Sequence, residues 1–163
     1  MIQFGHNDSG PLDDTARARG TLKGIGNDSI AIYNPIRNQN ETVHSYGWYL
    51  GKYVMDAKAK GAVSIVCSPI PRNDWKEGKV VRANETYTLW ARQAASSSGA
   101  LFIDLHNLIA DRYDNQLGQE KATTFFPKDH THTNMQGAKL NAAIVAEAIK
   151  KLPDENLADY LKK

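Results

Sequence analysis

Cysteine is almost absent from this chain. Cys67 is the single one among 163 residues, which excludes an intrachain disulfide framework and a multi-cysteine zinc site. Long apolar runs are also missing: none approaches the ~18 residues of a membrane-spanning helix. The opening MIQFGHND has neither the charged start nor the apolar stretch of a signal peptide. No sign of charge dominates. Twenty Lys and Arg stand against 18 Asp and Glu, a net charge of +2, with no block of one sign. That balance argues against a nucleic-acid arm and against a polybasic membrane patch. Repeats and low-complexity stretches are absent, and Ser96-Ser97-Ser98 is too short for a linker. What is present is 41% hydrophobic and 23% charged, the make-up of a soluble globular protein. The length favours one domain with a real core.

Met1-Ile2-Gln3-Phe4 reads as a short strand that runs at once into the loop signal Gly5-His6-Asn7-Asp8-Ser9-Gly10-Pro11. A strand at residue one is either an edge strand or the continuation of something longer. The stretch 5–43 is rich in Gly and Asn, with Ile30, Ile32 and Val43 alternating with polar residues, so a small hairpin is expected inside it. Ser45 can cap a helix over 46–60, with Tyr46, Leu50, Tyr53 and Ala57 on one face and Tyr49 and Val54 beside it. The apolar run 62–67 reads as a strand buried on both faces. A loop follows over 68–83, then a helix over 84–98 capped by Asn84. A strand is expected over 101–105 and a helix over 107–116. A loop over 123–133 leads to an amphipathic helix over 134–152 that turns Leu140, Ile144, Val145, Ala148 and Ile149 inward. A short helix over 154–163 closes the chain. Strands alternating with helices imply parallel strands with crossover helices, an α/β layered fold.

In such sheets ligands bind at the carboxyl ends of the strands. Three polar clusters leave those ends. In Asp129-His130-Thr131-His132 the carboxylate stands three residues before His132 and can reach its Nδ1–H across one turn, the pairing a histidine general base needs. The same residues also read as a helix cap with two solvated histidines, or as metal ligands with His6 or His106 added. Asn7, just after a strand and next to Gly5, can donate an amide N–H to a developing oxyanion, or simply form an Asx turn. Arg72, Asn73 and Trp75 suit a sugar face and a carboxylate or hydroxyl, although Trp75 can equally cover the core of its own loop.

Taken together, Gly5-x-Asn7-Asp8 after a strand and Asp129-x-x-His132 before the last long helix resemble two of the four signature blocks of the SGNH (GDSL-type) hydrolases. The intervening text is similar to the rhamnogalacturonan acetylesterases: Gly20-Thr21-Leu22, Ser45-Tyr46-Gly47-Trp48-Tyr49-Leu50, Cys67-Ser68-Pro69-Ile70-Pro71-Arg72-Asn73-Asp74-Trp75 and Phe102-Ile103-Asp104-Leu105. The resemblance implies a flavodoxin-like three-layer α/β/α sandwich, of which this chain supplies the third to fifth strands of a parallel sheet. It implies that His132 is the general base, Asp129 its orienting carboxylate and Asn7 an oxyanion donor. Arg72, Asn73 and Trp75 would lie near the polysaccharide. No cofactor and no metal is implied, and the substrate is an acetylated polysaccharide or oligosaccharide.

The family's Gly-Asp-Ser nucleophile block is missing. The eight serines stand at 9, 29, 45, 64, 68, 96, 97 and 98, and none follows Gly-Asp. The chain therefore reads as a single domain incomplete at its N-terminus, inactive alone, and open to self-association through an exposed sheet edge. Other readings are an SGNH esterase of a different acyl substrate, or a non-catalytic remnant that binds saccharide or a partner chain. A pectic substrate favours an extracellular or periplasmic site for the intact enzyme.

Overall fold

The computed structural model describes residues 1–14, 20–153 and 156–161. The chain forms two units, Met1–Pro69 with Asn84–Phe102, and Ile70–Ala83 with Ile103–Lys163.

The first unit is built on two helices and a short sheet. Ser45 caps α1 (Tyr46–Ala59) by accepting the Trp48 N–H at 3.1 Å. Its buried stripe is Tyr46, Leu50 and Val54. Tyr53, expected on that face, is 51% exposed, because the buried arc centres on Leu50 and Val54 and leaves Tyr53 at its margin beside the Phe4 ring. Helix α2 (Tyr87–Ser98) buries Ala91, Ala94 and Ala95, small side chains that let α1 and α2 approach closely. Asn84 is not its cap: the helix begins after Thr86, and no side chain caps it. Between them in the chain comes β3 (Ile65–Cys67), which packs against α2 and is wholly buried. Burial also pushes the Cys67 thiol up to about 11. The strand is shorter than the expected 62–67, and Val63 is 63% exposed. Ile2 N–H donates to Ile65 O and Cys67 N–H to Ile2 O, each at 2.8 Å, in a parallel bridge. Strand β6 (Leu101–Ile103) pairs with the opposite edge, with Leu101 N–H donating to Ser64 O at 3.0 Å. The order Ile2–β3–β6 matches that of the expected third to fifth strands. The opening strand itself contracts to this one bridge, and Gln3 makes no backbone hydrogen bond among the described residues.

The expected hairpin is present as β1 (Ser29–Asn34) and β2 (Gln39–His44), antiparallel with Ile30 opposite Val43. Asn34 Oδ1 accepts the N–H groups of Ile36 and Arg37, which shapes the turn.

The second unit opens with a hairpin the sequence hid in a loop: β4 (Trp75–Lys76) and β5 (Lys79–Val80), joined by Glu77 and Gly78, both at positive φ. Asp104 ends no strand; it caps α3 (Leu105–Arg112) through the Asn107 N–H, so Leu105 belongs to the helix. A single π-helical turn (Tyr113–Leu117) then buries Tyr113 and leads to α4 (Gly118–Thr123). Tyr113 packs with Phe125 and Phe126 at centroid distances of 6.2 and 6.3 Å. Asn134 caps α5 (Met135–Ile149) by accepting the Gly137 N–H at 3.0 Å. Gly137 is needed for contact: a Cβ there would meet Phe125 Cβ at 2.8 Å. Ile144 is the fully buried inward residue of α5, with Leu140, Val145, Ala148 and Ile149 half-buried. Of the expected last helix, Asn156–Tyr160 forms a 3₁₀ turn, and residues 154–155 and 162–163 lie outside the described residues. No helix among the described residues is long and apolar enough to cross a membrane.

Candidate active site

The segment between Phe126 and α5 is anchored at its far end. Asn134 N–H donates to Phe125 O at 2.7 Å, and its Nδ2 donates to Thr124 O at 2.9 Å. Inside the loop so formed, Asp129 Oδ2 lies 2.8 Å from His132 Nδ1. Its other oxygen, Oδ1, accepts the N–H groups of Thr131 and His132, each at 2.7 Å. The His132 backbone N–H, the His132 ring and the Thr131 N–H together hold the Asp129 carboxyl well below the usual carboxylate range. An ionised Asp129 accepts the Nδ1–H, which leaves the His132 lone pair on Nε2. The imidazole is 80% exposed, so Nε2 is accessible.

Arg72, Asn73 and Trp75 meet this loop. Asn73 N–H donates to His130 O at 2.7 Å. Asn73 Oδ1 accepts from Trp75 Nε1–H at 2.7 Å and from the Thr123 hydroxyl at 3.2 Å. The Trp75 indole is thereby fixed by its neighbour and is half-buried. The His130 ring bonds Asp74 and Arg72. His106 is buried and accepts the Ala83 N–H at 3.0 Å. Among the described residues no three His, Cys, Asp or Glu side chains gather as metal ligands.

Asn7 belongs to the first unit. Its carbonyl accepts the Gly10 N–H at 3.0 Å in a tight turn, and its exposed carboxamide makes no hydrogen bond among the described residues. Gly5 sets up that turn at φ +143°, where a Cβ would come within 2.5 Å of Pro69 Cγ. Beside Asn7, burial raises the pKa of the half-buried Asp8 carboxyl. The same unit holds a cavity of about 840 Å³ lined by Asp8, Tyr46, Tyr49 and Tyr53.

No family model matches the chain. Curated proteins do. A rhamnogalacturonan acetylesterase of Emericella nidulans is 30% identical over 152 residues, which are 93% of this chain and 58% of the relative. The chain is thus similar in sequence to a rhamnogalacturonan acetylesterase. A probable rhamnogalacturonan acetylesterase of Bacillus subtilis, YesY, is 26% identical over 157 residues, 93% of this chain and 62% of that protein. The chain thus spans about three-fifths of the length of these curated relatives. The crystal structure of the Bacillus subtilis protein YxiM superposes with a TM-score of 0.59 and 24% identity, over 64% of this chain and 30% of that one. That likeness is one of fold. The α/β architecture of this chain agrees with that likeness of fold.

Two residues of this loop cluster were given no role by sequence reasoning, Asp74 and Thr123. Asp74 stands 56 positions from its partner His130, a separation at which no spacing rule operates.

Proposed function

We propose that this chain carries the base and oxyanion portion of a serine-type esterase that removes O-acetyl groups from rhamnogalacturonan. The observation that carries the reading is the Asp129–His132 pair. Its carboxylate is pinned by two backbone N–H groups and its imidazole presents Nε2 to solvent. Such a base takes a proton from a serine hydroxyl as the hydroxyl attacks the acetyl carbonyl, then returns it to the leaving sugar oxygen. Water repeats the cycle on the acyl-enzyme and releases acetate. Asn7 would donate its side-chain N–H to the oxyanion of the tetrahedral intermediate. Arg72, Asn73 and Trp75 would contact the polysaccharide, with the indole against a sugar face. With no Gly-Asp-Ser in the sequence, the chain by itself has no positioned nucleophile and should be inactive.

The test joins the chain to the part of the Emericella nidulans relative that it does not match, and measures acetate released from acetylated rhamnogalacturonan. We expect turnover from the joined protein and background from the chain alone. Asn7→Ala in the joined protein should lower kcat about 10²–10³-fold with little change in KM. A folded joined protein with no activity would overturn the esterase reading, and a loss under threefold for Asn7→Ala would make that residue a turn former only.

A further inference from the structure

The turn that carries Asn7 is held at both ends through one residue of α1, Tyr46. The parallel bridge between Ile2 and Val66 sets the register there: Ile2 N–H donates to Ile65 O, and Cys67 N–H to Ile2 O. Two residues on, such a ladder would have the N–H of residue 69 donate to Phe4 O. Residue 69 is Pro, which has no N–H. Pro69 does stand at that place, since a Cβ on Gly5 would come within 2.5 Å of its Cγ. The Tyr46 hydroxyl supplies the missing donor, 2.9 Å from Phe4 O. The ladder therefore ends on a side chain, at the peptide where the chain leaves the sheet for Asn7.

Tyr46 is wholly buried, with the Tyr87 ring edge-on at a centroid distance of 5.0 Å. Burial raises the pKa of its hydroxyl, which keeps its proton and donates it to Phe4 O. A phenylalanine would fill the same space; the hydroxyl adds the bond to Phe4 O. At the far end of the turn, Tyr46 N–H donates to Leu22 O at 2.9 Å, and the neighbouring Thr21 N–H donates to Asp8 O at 3.0 Å. Between these anchors the Gly10 N–H closes the turn on Asn7 O. The Asn7 carboxamide makes no hydrogen bond among the described residues, so its placement depends on the backbone that carries it. We propose that Tyr46 is a positioning residue for the oxyanion donor: its hydroxyl replaces the ladder bond that Pro69 lacks and fixes the Phe4–Gly5 peptide from which the Asn7 turn hangs. The inference rests on the esterase reading above, in which Asn7 donates to the oxyanion.

The test has two arms. In the first, the full chain is isotope-labelled and backbone amide relaxation is measured for the wild type, for Tyr46→Phe and for Tyr46→Phe with Pro69→Ala. Wild-type Asn7 should be rigid, with an order parameter of ~0.85, and Tyr46→Phe should lower it below ~0.6. Pro69→Ala returns an N–H to the ladder and should restore most of that order. A hydroxyl that only stabilises the core would, when lost, lower stability and leave the Asn7 amide as it was. The second arm measures hydrolysis of a small acetyl ester by the joined protein. Tyr46→Phe should lower kcat about tenfold, the effect of one hydrogen bond, with KM unchanged. In the Asn7→Ala background the same substitution should change kcat less than about twofold, because the group it positions is gone. Three results each overturn the positioning role and leave the esterase reading standing: Asn7 order that Tyr46→Phe does not change, order that Pro69→Ala does not restore, and equal kcat losses in the two backgrounds. A joined protein that is folded and inactive overturns the esterase reading and the positioning role with it.

Discussion

At the scale of single residues, the two histidines of Asp129-His130-Thr131-His132 differ in what their Nε2 atoms do. That of His132 is exposed, while that of His130 is bonded to Arg72. In the joined protein, His132→Ala should cut turnover of a small acetyl ester about 10²–10⁴-fold, the range for losing a general base. His130→Ala should cut it far less. Equal losses in stopped-flow assays of the two variants would remove His132 from the base role. The pH profile makes a second prediction. Asp129 is held ionised well below the usual carboxylate range, first by the His132 backbone N–H. Its depressed pKa means that the pairing persists above that low range and is lost only as pH falls through it. The acid limb of kcat/KM should therefore carry no contribution from this carboxylate and keep a slope of one in the log profile. A slope of two would mean that the carboxylate titrates in that range.

Among the elements, α5 does more than fill a core. Its cap, Asn134, bonds Gly137, Phe125 and Thr124, and so closes the loop that holds Asp129 and His132. Asn134→Ala should cost roughly 1 kcal/mol of stability, the usual loss for a cap, by urea denaturation. It should also broaden the backbone amide signals of Thr131 and His132, because the loop loses its anchor. Unchanged amide signals alongside the stability loss would mean that the dyad is ordered by its own hydrogen bonds. The Glu77–Gly78 hairpin acts likewise on the Arg72 loop, since Val80 N–H donates to Asp114 at 2.8 Å and Arg82 pairs with the same carboxylate.

For the molecule as a whole, the sheet edge at Gln3 stands out. Ile2 spends its hydrogen bonds on β3, Gln3 has none among the described residues, and Met1, Phe4 and Tyr53 beside it are 61%, 50% and 51% exposed. An open strand edge with apolar neighbours is a template for another strand. The chain alone should therefore elute as a dimer or larger on size-exclusion chromatography with light scattering at ~100 μM, where an interface of micromolar affinity is filled. Phe4→Lys should shift it toward monomer. A monodisperse wild-type monomer at that concentration would count against self-association through this edge.

The sequence by itself determined whatever depends on neighbours in the chain. Ser45 before a helical run fixed the start of α1, and three apolar positions at Ile65–Cys67 fixed a strand buried on both faces. The Asp129-x-x-His132 spacing allowed a carboxylate to reach an imidazole within one turn, and 2.8 Å separates them. Spacing paired Asp129 with His132 but gave no partner for His130, because the residue that bonds its ring is Asp74, far off in the chain. Tertiary structure alone decided that, together with the exposure of Tyr53 and the contraction of the opening strand to one bridge. Each of these depends on which surface faces a partner across space, and a linear pattern does not encode that.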